Sequence, residues 1–518
     1  MAKVIITHQS PITFNKQLQT PCFYEAMINE LVAHGNDVLH FITGDILASD
    51  FQSDNKAYSK RIENEVFSAV KEFKPDLIIA FNNSFVHGVE KIVDCPYVIW
   101  DVDSLDYFSD LDNIKKNQDR YTYFSISDYG VKDYINKINP NPKSIFKILG
   151  ATGVVAKPEM PNCNISFIGS SFNICRRLNE LMTYFPDQFK ELMSLYEKDD
   201  IVGLKRKIQD IYGYQAISLS SFKYINVQQN RMQIMSLLTS LGIKIYGNVG
   251  WQRLGAAFVD VVRSYDSSIV YSVGHNQDIY NKSKIGISIS HPQAITGYPW
   301  RITDIMASNA ALVSDVKSGF FMDFGKKLPF MTYDNPVDAY LICKRLLTES
   351  NLREDIVHAS QEVINKGHRW SHRFLQMREA VGVDLMNKKK AGSYKRFVPE
   401  RSSAEKSFET LTQALAKTYV NMYENKQKPS RRSLKKKVLD FLNIKQAPIP
   451  IQKPILVAGD IKNIPSFKSK LKVFIKEMLG FWTHYKTKAY YNQINIDRPL
   501  YDPNKAVSKS TNDNLGKI

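Results

Sequence analysis

The 518-residue sequence has no apolar run that approaches the ~20 residues a helix needs to cross a bilayer, so no transmembrane helix is expected. Its five cysteines are scattered and form no CxxC pair, which favours a reducing cytosol over a disulfide framework or a cysteine-based zinc site. The N-terminal MAKVIITHQSP lacks the long apolar region and cleavage site of a secretory signal peptide. GxxxxGK[ST], HExxH and GxSxG motifs are absent as well. The sequence therefore predicts a cytoplasmic protein.

The net charge of +17 is confined to the last quarter of the chain. Residues 388–518 contain 28 of the 69 Lys and Arg residues and 10 of the 52 Asp and Glu residues, a net charge of +18. Residues 1–387 therefore carry a net charge of −1. A partner attracted by positive charge is expected to bind the tail and not the rest of the chain.

Two successive sets of short apolar strands and amphipathic helices make up residues 1–387. Strands are predicted at 3–7, 37–44, 74–83, 95–103 and 122–127, and again at 164–171, 243–250, 284–292 and 310–316. This alternation is typical of parallel sheets with helices on both faces. We predict an α/β fold with two Rossmann-like domains that face a central cleft, at 1–155 and 156–387, and a basic, partly helical extension at 388–518. Ligands of such sheets bind beyond the carboxyl ends of the strands.

The segment 280–315, YNKSKIGISISHPQAITGYPWRITDIMASNAALVSD, is the most informative part of the sequence. A strand is predicted to end at Ser290–His291, a loop with Gly297 follows, and a helix begins near Arg301 with Asp304 in its first turn. The N-terminus of a helix attracts anions, and Arg301 would strengthen that attraction. Asp304 could accept hydrogen bonds from the hydroxyls of a ribose. The alternative is that Asp304 only complements the helix dipole and Arg301 lies in solvent.

Five ordered pieces of the chain resemble the signature of CgeB-type glycosyltransferases, which have the two-domain GT-B fold. The pieces are Ile165–Ser170 with Arg176, Ile245–Gly247, Tyr280–Ser290, Gly297–Asp315 and His368–Arg373. The first 155 residues match that family in architecture alone, and the tail matches nothing in it.

The resemblance implies that the first domain, 1–155, is the acceptor domain and that the second, 156–387, is the nucleotide-sugar domain. Asp304 then stands where the family has a Glu that contacts the ribose, and Arg301 faces the diphosphate. Other residues implied to bind the donor are Gly169, Ser170, Arg176, Gly247, Asn248, His291 and Gly297. Two positions depart from the family: Asp replaces Glu at 304, and Asn309 replaces Gly, a mild change because Asn tolerates left-handed turns.

Glycosyl transfer with inversion needs a base that deprotonates the acceptor hydroxyl. Asp101 and Asp103 follow a predicted buried strand and lie at i, i+2, so their side chains should point the same way and raise each other's pKa. His8, in the loop after the first strand, is a second candidate. Both sets could instead be ordinary loop or surface residues. The Asp-x-Asp pattern lies in the acceptor domain, and the GT-B resemblance implies no metal, so we expect no metal and no cofactor besides the nucleotide-sugar substrate.

The tail contains predicted amphipathic helices with lysine-rich polar faces. Residues 467–485 place aromatic and aliphatic side chains on one face, and residues around 434–442 repeat the pattern more weakly. Such helices bind anionic membrane surfaces, and we expect residues 427–488 to hold the protein at the cytosolic membrane face. Packing of these helices on the rest of the protein is an alternative, and nucleic acid is a less favoured partner.

The resulting hypothesis is a glycosyltransferase of polysaccharide biosynthesis that moves a hexose-like sugar from a nucleotide-sugar to a glycan, a lipid-linked or another cell-surface acceptor. The alternatives are a non-catalytic binding or assembly protein on a GT-B scaffold, an epimerase of the same fold, and a DNA-modifying glycosyltransferase.

Overall fold

The computed structural model describes residues 1–9, 13–14, 17–43, 56–103, 105, 108, 111–171, 178, 181–182, 184–198, 200–213, 217, 219–254, 258–268, 270–291, 294–386 and 390–399. The chain divides into two compact units, 1–402 and 403–518. The predicted amphipathic helices of the tail, and with them the membrane segment 427–488, lie outside the described residues.

The strands of the described residues are β1 Lys3–His8, β2 Thr13–Phe14, β3 Gln17–Leu18, β4 Asp37–Ile42, β5 Leu77–Phe81, β6 Tyr97–Asp101, β7 Tyr121–Ser125, β8 Ile145–Lys147, β9 Cys163–Ile168, β10 Ile243–Tyr246, β11 Tyr265–Asp266, β12 Ser283–Ser288, β13 Ala311–Asp315, β14 Met331–Tyr333 and β15 Tyr394–Arg396. Strands β2 and β3 form a separate antiparallel pair.

The α-helices of the described residues are α1 Cys22–Ala33, α2 Lys56–Phe73, α3 Leu111–Lys116, α4 Asp128–Lys137, α5 Pro186–Glu197, α6 Ile201–Tyr212, α7 Leu219–Leu238, α8 Val259–Arg263, α9 Val273–Asn281, α10 Arg301–Met306, α11 Ser318–Asp323, α12 Pro336–Thr348, α13 Ser350–Gly367 and α14 Trp370–Val381. None of them is both long enough and apolar enough to span a bilayer.

Two parallel sheets organise the described chain. The first has the order β15-β4-β1-β5-β6-β7-β8, and the second has the order β11-β10-β9-β12-β13-β14. Every pairing in both sheets is parallel. The prediction of an α/β fold with two Rossmann-like halves is confirmed. Below, residues 1–155 are called the first half and residues 156–387 the second half.

Apolar residues on both faces of the central strands explain why helices cover both sides of the first sheet. Ile5 and Ile78 pack with α2 on one face, and Val4 and Ile6 pack with α1 on the other. Helix α1 ends before Gly35, whose φ of 86° is the left-handed conformation that favours glycine after a helix.

The end of the described chain returns to the first half. Helix α14 contributes Trp370, Phe374 and Met377 to the core beside α1. Strand β15 then pairs with β4 as the edge of the first sheet. Residues 394–396 fall in the range predicted as the basic extension, yet they complete the first sheet.

Candidate functional site

Two glycine turns meet at the carboxyl ends of β9 and β10. The backbone N–H of Gly169 donates to the carbonyl of Tyr246 over 2.9 Å, and the indole of Trp251 donates to the carbonyl of Gly169 over 2.8 Å. A side chain at Gly247, whose φ is 147°, would collide with the Gly169 carbonyl oxygen. Asn248 follows, and its Oδ1 accepts hydrogen bonds from the backbone N–H and the hydroxyl of Ser171, each over 3.3 Å. Glycine is required where the two turns approach this closely.

Two arginines lie against the ring of Phe167 at these turns. The guanidinium carbons of Arg231 and Arg301 are 5.4 and 5.5 Å from the ring centroid. Arg231 is buried and donates to the carbonyl of Ser170 over 2.6 Å and to that of Ile289 over 2.8 Å. It therefore ties the turn after β9 to the loop after β12. Burial, together with the nearby charge of Arg301, lowers the pKa of Arg231.

Arg301 is the first residue of α10, and its Nη1 is buried without a hydrogen-bond partner. A Cβ at Gly169 would lie 3.3 Å from this nitrogen, so the guanidinium faces the glycine turn directly. A buried N–H of a cation without a partner is unfavourable, and an anion at this position would satisfy it. The arrangement can hold a phosphate or diphosphate.

Asp304 is buried in the same helix, and both of its carboxylate oxygens accept hydrogen bonds. The hydroxyl of Thr152 donates to Oδ1 over 2.7 Å, and the amide of Asn276 donates to Oδ2 over 3.2 Å. The same amide lies 3.0 Å from the sulfur of Cys22 in α1. Burial raises the pKa of Asp304. Asp304 thus connects Thr152 of the first half to Asn276 of α9. A ribose bound here would share a carboxylate that already accepts two hydrogen bonds.

The loop between β12 and α10 lies against the first half. The Thr296 hydroxyl accepts a hydrogen bond from the backbone N–H of Tyr129 over 3.2 Å, and a Cβ at Gly297 would lie 2.9 Å from the Cβ of Ser127. The absence of a side chain at Gly297 therefore allows the two halves to approach each other closely. His291 is half-buried at the start of this loop, where its carbonyl accepts from the N–H of Ala294.

Asp101, at the end of β6, is buried beneath the N-terminus of α4. The hydroxyl of Ser125 donates to its Oδ2 over 3.1 Å, and a side chain at Gly130 would collide with both groups. Its Oδ1 is buried without a hydrogen-bond partner. Burial is the main reason that the pKa of Asp101 is raised, and the charge of Asp103 is a minor contribution.

Asp103 has a different environment two residues later. It is half-buried, and its Oδ2 accepts a hydrogen bond from the Asn82 amide over 2.7 Å. The carbonyl oxygen of the same amide accepts from the backbone N–H groups of Val102 and Asp103, over 2.9 and 3.1 Å. Asn82 itself has a φ of 52° after β5. One asparagine therefore fixes the position of Asp103, while Asp101 is held by Ser125.

His8 is fully buried at the end of β1, and neither ring nitrogen has a hydrogen-bond partner. Its ring stacks on Tyr24, with the centroids 4.1 Å apart, and lies 4.9 Å from the ring of His40. Burial lowers the pKa of His8 to about 4. The imidazole is therefore neutral at physiological pH.

Three tryptophans from separate parts of the chain meet beside Tyr24. Trp100 is the second-to-last residue of β6, Trp300 precedes Arg301, and Trp370 begins α14. Their ring centroids are 5.9 Å (Trp100–Trp300), 6.3 Å (Trp100–Trp370) and 5.9 Å (Trp300–Trp370) apart. Trp300 inserts from the second half into the core of the first half. Aromatic packing therefore connects the helix that carries Arg301 to the strand that carries Asp101.

The structure brings several of the predicted donor residues together at the carboxyl ends of the second sheet. The predicted donor residues at the two glycine turns are Gly169, Ser170, Gly247, Asn248 and Arg301. The predicted base candidates lie at the carboxyl ends of strands of the first sheet: His8 ends β1, Asp101 ends β6, and Asp103 comes two residues after Asp101. Arg176 lies outside the described residues. No cluster of three or more His, Cys, Asp or Glu side chains with metal-binding geometry occurs in the described part of the chain.

Sequence reasoning missed Arg231, Asn82 and His40. Asn82 begins the tripeptide Asn-Asn-Ser that follows a buried strand. The sequence could have indicated a turn there, because Asn tolerates positive φ. Arg231 and His40 gave no such signal, since an arginine in a helix and a histidine within a strand are ordinary until the fold buries them.

Comparison with known families identifies the second half. Residues 231–379 match the model of a glycosyl transferase-like family. The second half is therefore similar to glycosyl transferase-like domains over this range, and the prediction of a glycosyltransferase-type enzyme is confirmed at this level. The narrower resemblance to CgeB-type enzymes remains a prediction. No curated protein sequence matches the chain significantly.

Solved structures with a similar arrangement are glycosyltransferases and a synthase of low sequence identity. They include a glycosyltransferase from Rickettsia africae ESF-5 (TM-score 0.44, 10% identity, 74% of this chain and 99% of that chain). HepE from Anabaena in complex with UDP and glucose has a TM-score of 0.43 and 11% identity, with 74% of this chain and 100% of that chain covered. Sucrose-phosphate synthase from Thermosynechococcus elongatus has a TM-score of 0.45 and 8% identity, with 73% and 98% covered. No conclusion about donor or acceptor follows from these similarities.

Proposed function

We propose that this protein transfers a sugar from a nucleotide-sugar donor to a glycan or another cell-surface acceptor. The observation that carries the proposal is the position of Arg301. Its buried, unpartnered Nη1 faces the Gly169 turn at the carboxyl ends of two parallel strands, and Arg301 itself lies in the range 231–379 that is similar to glycosyl transferase-like proteins. A diphosphate bound there would be stabilised by Arg301 and by the backbone of the turn.

Stabilisation of the diphosphate favours departure of the nucleotide from the sugar. As the bond to the anomeric carbon breaks, negative charge develops on the leaving phosphate oxygens. Arg301 is fixed by Phe167 on one side and by the start of α10, so little reorganisation is needed. Arg231 keeps the turn after β9 in place through the Ser170 carbonyl and acts as a positioning residue.

We assign the role of base to Asp103. A base must reach the acceptor hydroxyl, and Asp103 is half-buried, whereas Asp101 and His8 are buried. The hydrogen bond from Asn82 holds the Asp103 carboxylate in one orientation. Asp101 then supports the N-terminal end of α4 through Ser125.

The test of the donor site is nucleotide-sugar binding by an Arg301→Met variant. Calorimetry with UDP-, GDP- and CMP-sugars should identify one donor for the wild-type protein, and the variant should bind that donor about 10- to 100-fold more weakly because a charge-assisted contact is lost. The matched control is Arg263→Met, which removes an exposed arginine of α8 in the same half. Equal donor binding by Arg301→Met and wild type would overturn the site.

A non-catalytic binding protein on the same scaffold is the second candidate, and the hydrogen bonds that Asp304 already makes favour it. Such a protein would bind none of the three classes of nucleotide-sugar. Binding of one donor with slow release of its free sugar would exclude this candidate.

The basic tail is proposed to hold the enzyme on an anionic membrane surface. Flotation of the full chain with anionic liposomes, compared with a chain that ends at residue 402, tests this role. Equal flotation of the two chains would remove the membrane from the proposal, and retention of the full chain on DNA alone would replace it with nucleic acid.

A further inference from the structure

Four polar side chains lie on one face of the first sheet near its β15 edge. In the parallel register, Arg396 is beside His40, Tyr394 is beside Val38, and His40 is beside Ile6. His8 follows two residues after Ile6, so the alternation of a strand places all four side chains on the same face. The phenol of Tyr394 is 3.0 Å from Nδ1 of His40, and the rings of His8 and His40 are 4.9 Å apart.

Three of these side chains are basic, and no carboxylate among the described residues pairs with them. Two carboxylates interact electrostatically with neighbouring tyrosines, Glu25 with Tyr394 and Asp103 with Tyr24, but both are engaged elsewhere. Oε2 of Glu25 accepts a hydrogen bond from the N–H of Val273 at the start of α9, and Asp103 is held by Asn82. Positive charge at Arg396 is therefore not neutralised within the described structure.

The cluster also has unused hydrogen-bonding capacity in its interior. Both ring nitrogens of His8, Nε2 of His40 and Nε of Arg396 are buried without a partner. Both histidines are fully buried. Buried polar groups are nearly always paired, so the unpaired N–H of Arg396 and the unpaired nitrogens of the neutral imidazoles, each of which has one N–H, indicate a ligand that accepts hydrogen bonds.

We propose that Arg396, which is half-buried beside the buried rings of His40 and His8, binds an oxyanion, a phosphate or a carboxylate, that the acceptor carries. The inference rests on the proposed function, because it assigns the chemistry of the acceptor. A guanidinium donates to an oxyanion with charge assistance, and a neutral imidazole can donate one further hydrogen bond. A neutral sugar offers hydroxyl donors as well as acceptors and would gain less from a cluster without acidic groups.

The location of the cluster agrees with an acceptor subsite. His8 stacks on Tyr24, which lies 6.3 Å from Trp300, the residue directly before Arg301. The cluster thus lies on the first-half side of the contact through which the two halves meet, while the donor residues lie on the other side.

The experiment measures binding of glycerol phosphate to the full chain, with glycerol and inorganic phosphate as comparison probes and saturating donor nucleotide present to fill the Arg301 site. Arg396→Gln should weaken glycerol phosphate binding at least about 10-fold. The matched control is Lys395→Gln, which removes a neighbouring positive charge whose side chain is exposed on the opposite face of β15. Acetate in place of glycerol phosphate distinguishes a carboxylate from a phosphate.

The inference is supported when glycerol phosphate or acetate binds, glycerol does not, and Arg396→Gln loses binding while Lys395→Gln keeps it. It is overturned when neither oxyanion binds, when both variants lose binding equally, or when inorganic phosphate binds as tightly as glycerol phosphate. His40→Gln provides a second variant within the cluster, and unchanged melting temperatures of all variants exclude unfolding. Failure of the proposed function would be a separate result. It would be seen as no nucleotide-sugar binding by the wild-type protein, or as binding that Arg301→Met does not weaken.

Discussion

The second half of the protein presents cationic groups at glycine turns, whereas the first half encloses titratable groups in its core. Arg301 faces the backbone of Gly169 from the start of a helix. In the first half, His8 and Asp101 are buried, and Asp103 alone of the three predicted base candidates is half-buried. In the function proposed above, this difference separates binding of a charged donor from activation of an acceptor.

This separation also explains why the functional residues of the second half are easier to predict from the sequence than those of the first half. Binding of a diphosphate needs glycines and an arginine at fixed positions along a turn and a helix, and such positions form a recognisable pattern. Activation of an acceptor needs one correctly placed carboxylate, and its support comes from residues that are distant in sequence.

Asp103→Asn should have the largest effect on turnover. If it also changed donor binding, the proposed division of roles between the two halves would be wrong. We expect turnover to fall about 10²- to 10⁴-fold because a general base is lost, with nucleotide-sugar affinity unchanged. Release of free sugar from the donor identified above provides the assay. Asp112→Asn, an exposed carboxylate of α3 in the same half, is the control. Turnover that is equal in the two variants would move the base elsewhere.

The buried His8 should make the protein less stable in acid. An unfolded histidine takes up a proton near pH 6.5, but folded His8, whose pKa is about 4, does not. The unfolded state therefore binds more protons between these values, and the free energy of unfolding falls as the pH is lowered through this window.

His8→Gln should reduce that loss of stability between pH 7 and pH 4.5 by about 2 kcal/mol. His40 and Arg396 also face His8, so part of the acid sensitivity should remain in the variant. Denaturant unfolding at the two pH values measures the change, and His358→Gln, at an exposed site on α13, is the control. An identical pH dependence in wild type and His8→Gln would contradict the burial of a neutral imidazole.

Asn82→Gly should have a smaller effect and tests whether Asp103 is held in position. Glycine keeps the left-handed backbone at this residue and removes the three hydrogen bonds of its side chain. We expect turnover to fall about 10-fold through loss of positioning, with donor affinity unchanged. Asn139→Gly, which has a φ of 58° on the surface, controls for the backbone change. A loss greater than that of Asp103→Asn would show that Asn82 does more than position Asp103.

The parallel sheets, and the glycine turns and Arg301 that follow their strands in the second half, could be predicted from the sequence because they depend on local pattern. Apolar strands such as β5 and β6, and glycines at strand ends, carry their own signal. The predicted pairing of Asp101 with Asp103 is a partial success: both lie at the carboxyl end of β6, but burial is the main cause of the raised pKa of Asp101 and the charge of Asp103 is a smaller one.

Contacts between distant parts of the chain could not be predicted. Three-residue strands such as β8 and β15 are too short to show the alternation of apolar and polar residues that predicts a strand. In addition, β15 lies in a charged stretch of the kind that is typical of linkers. The enclosure of Asp304 by Thr152 and Asn276 depends on how the halves meet, which no local pattern specifies.

The return of β15 to the first sheet has a consequence for how the protein folds during its synthesis. Until residues 394–396 leave the ribosome, β4 has a free edge and the core beside α1 lacks Trp370 and Phe374. Exposed strand edges and apolar surface promote association with other chains. The nascent first half must therefore remain incomplete while more than 200 residues of the second half are made, as the bounds of β8 and β15 require. We expect its yield to depend on chaperones that bind the growing chain.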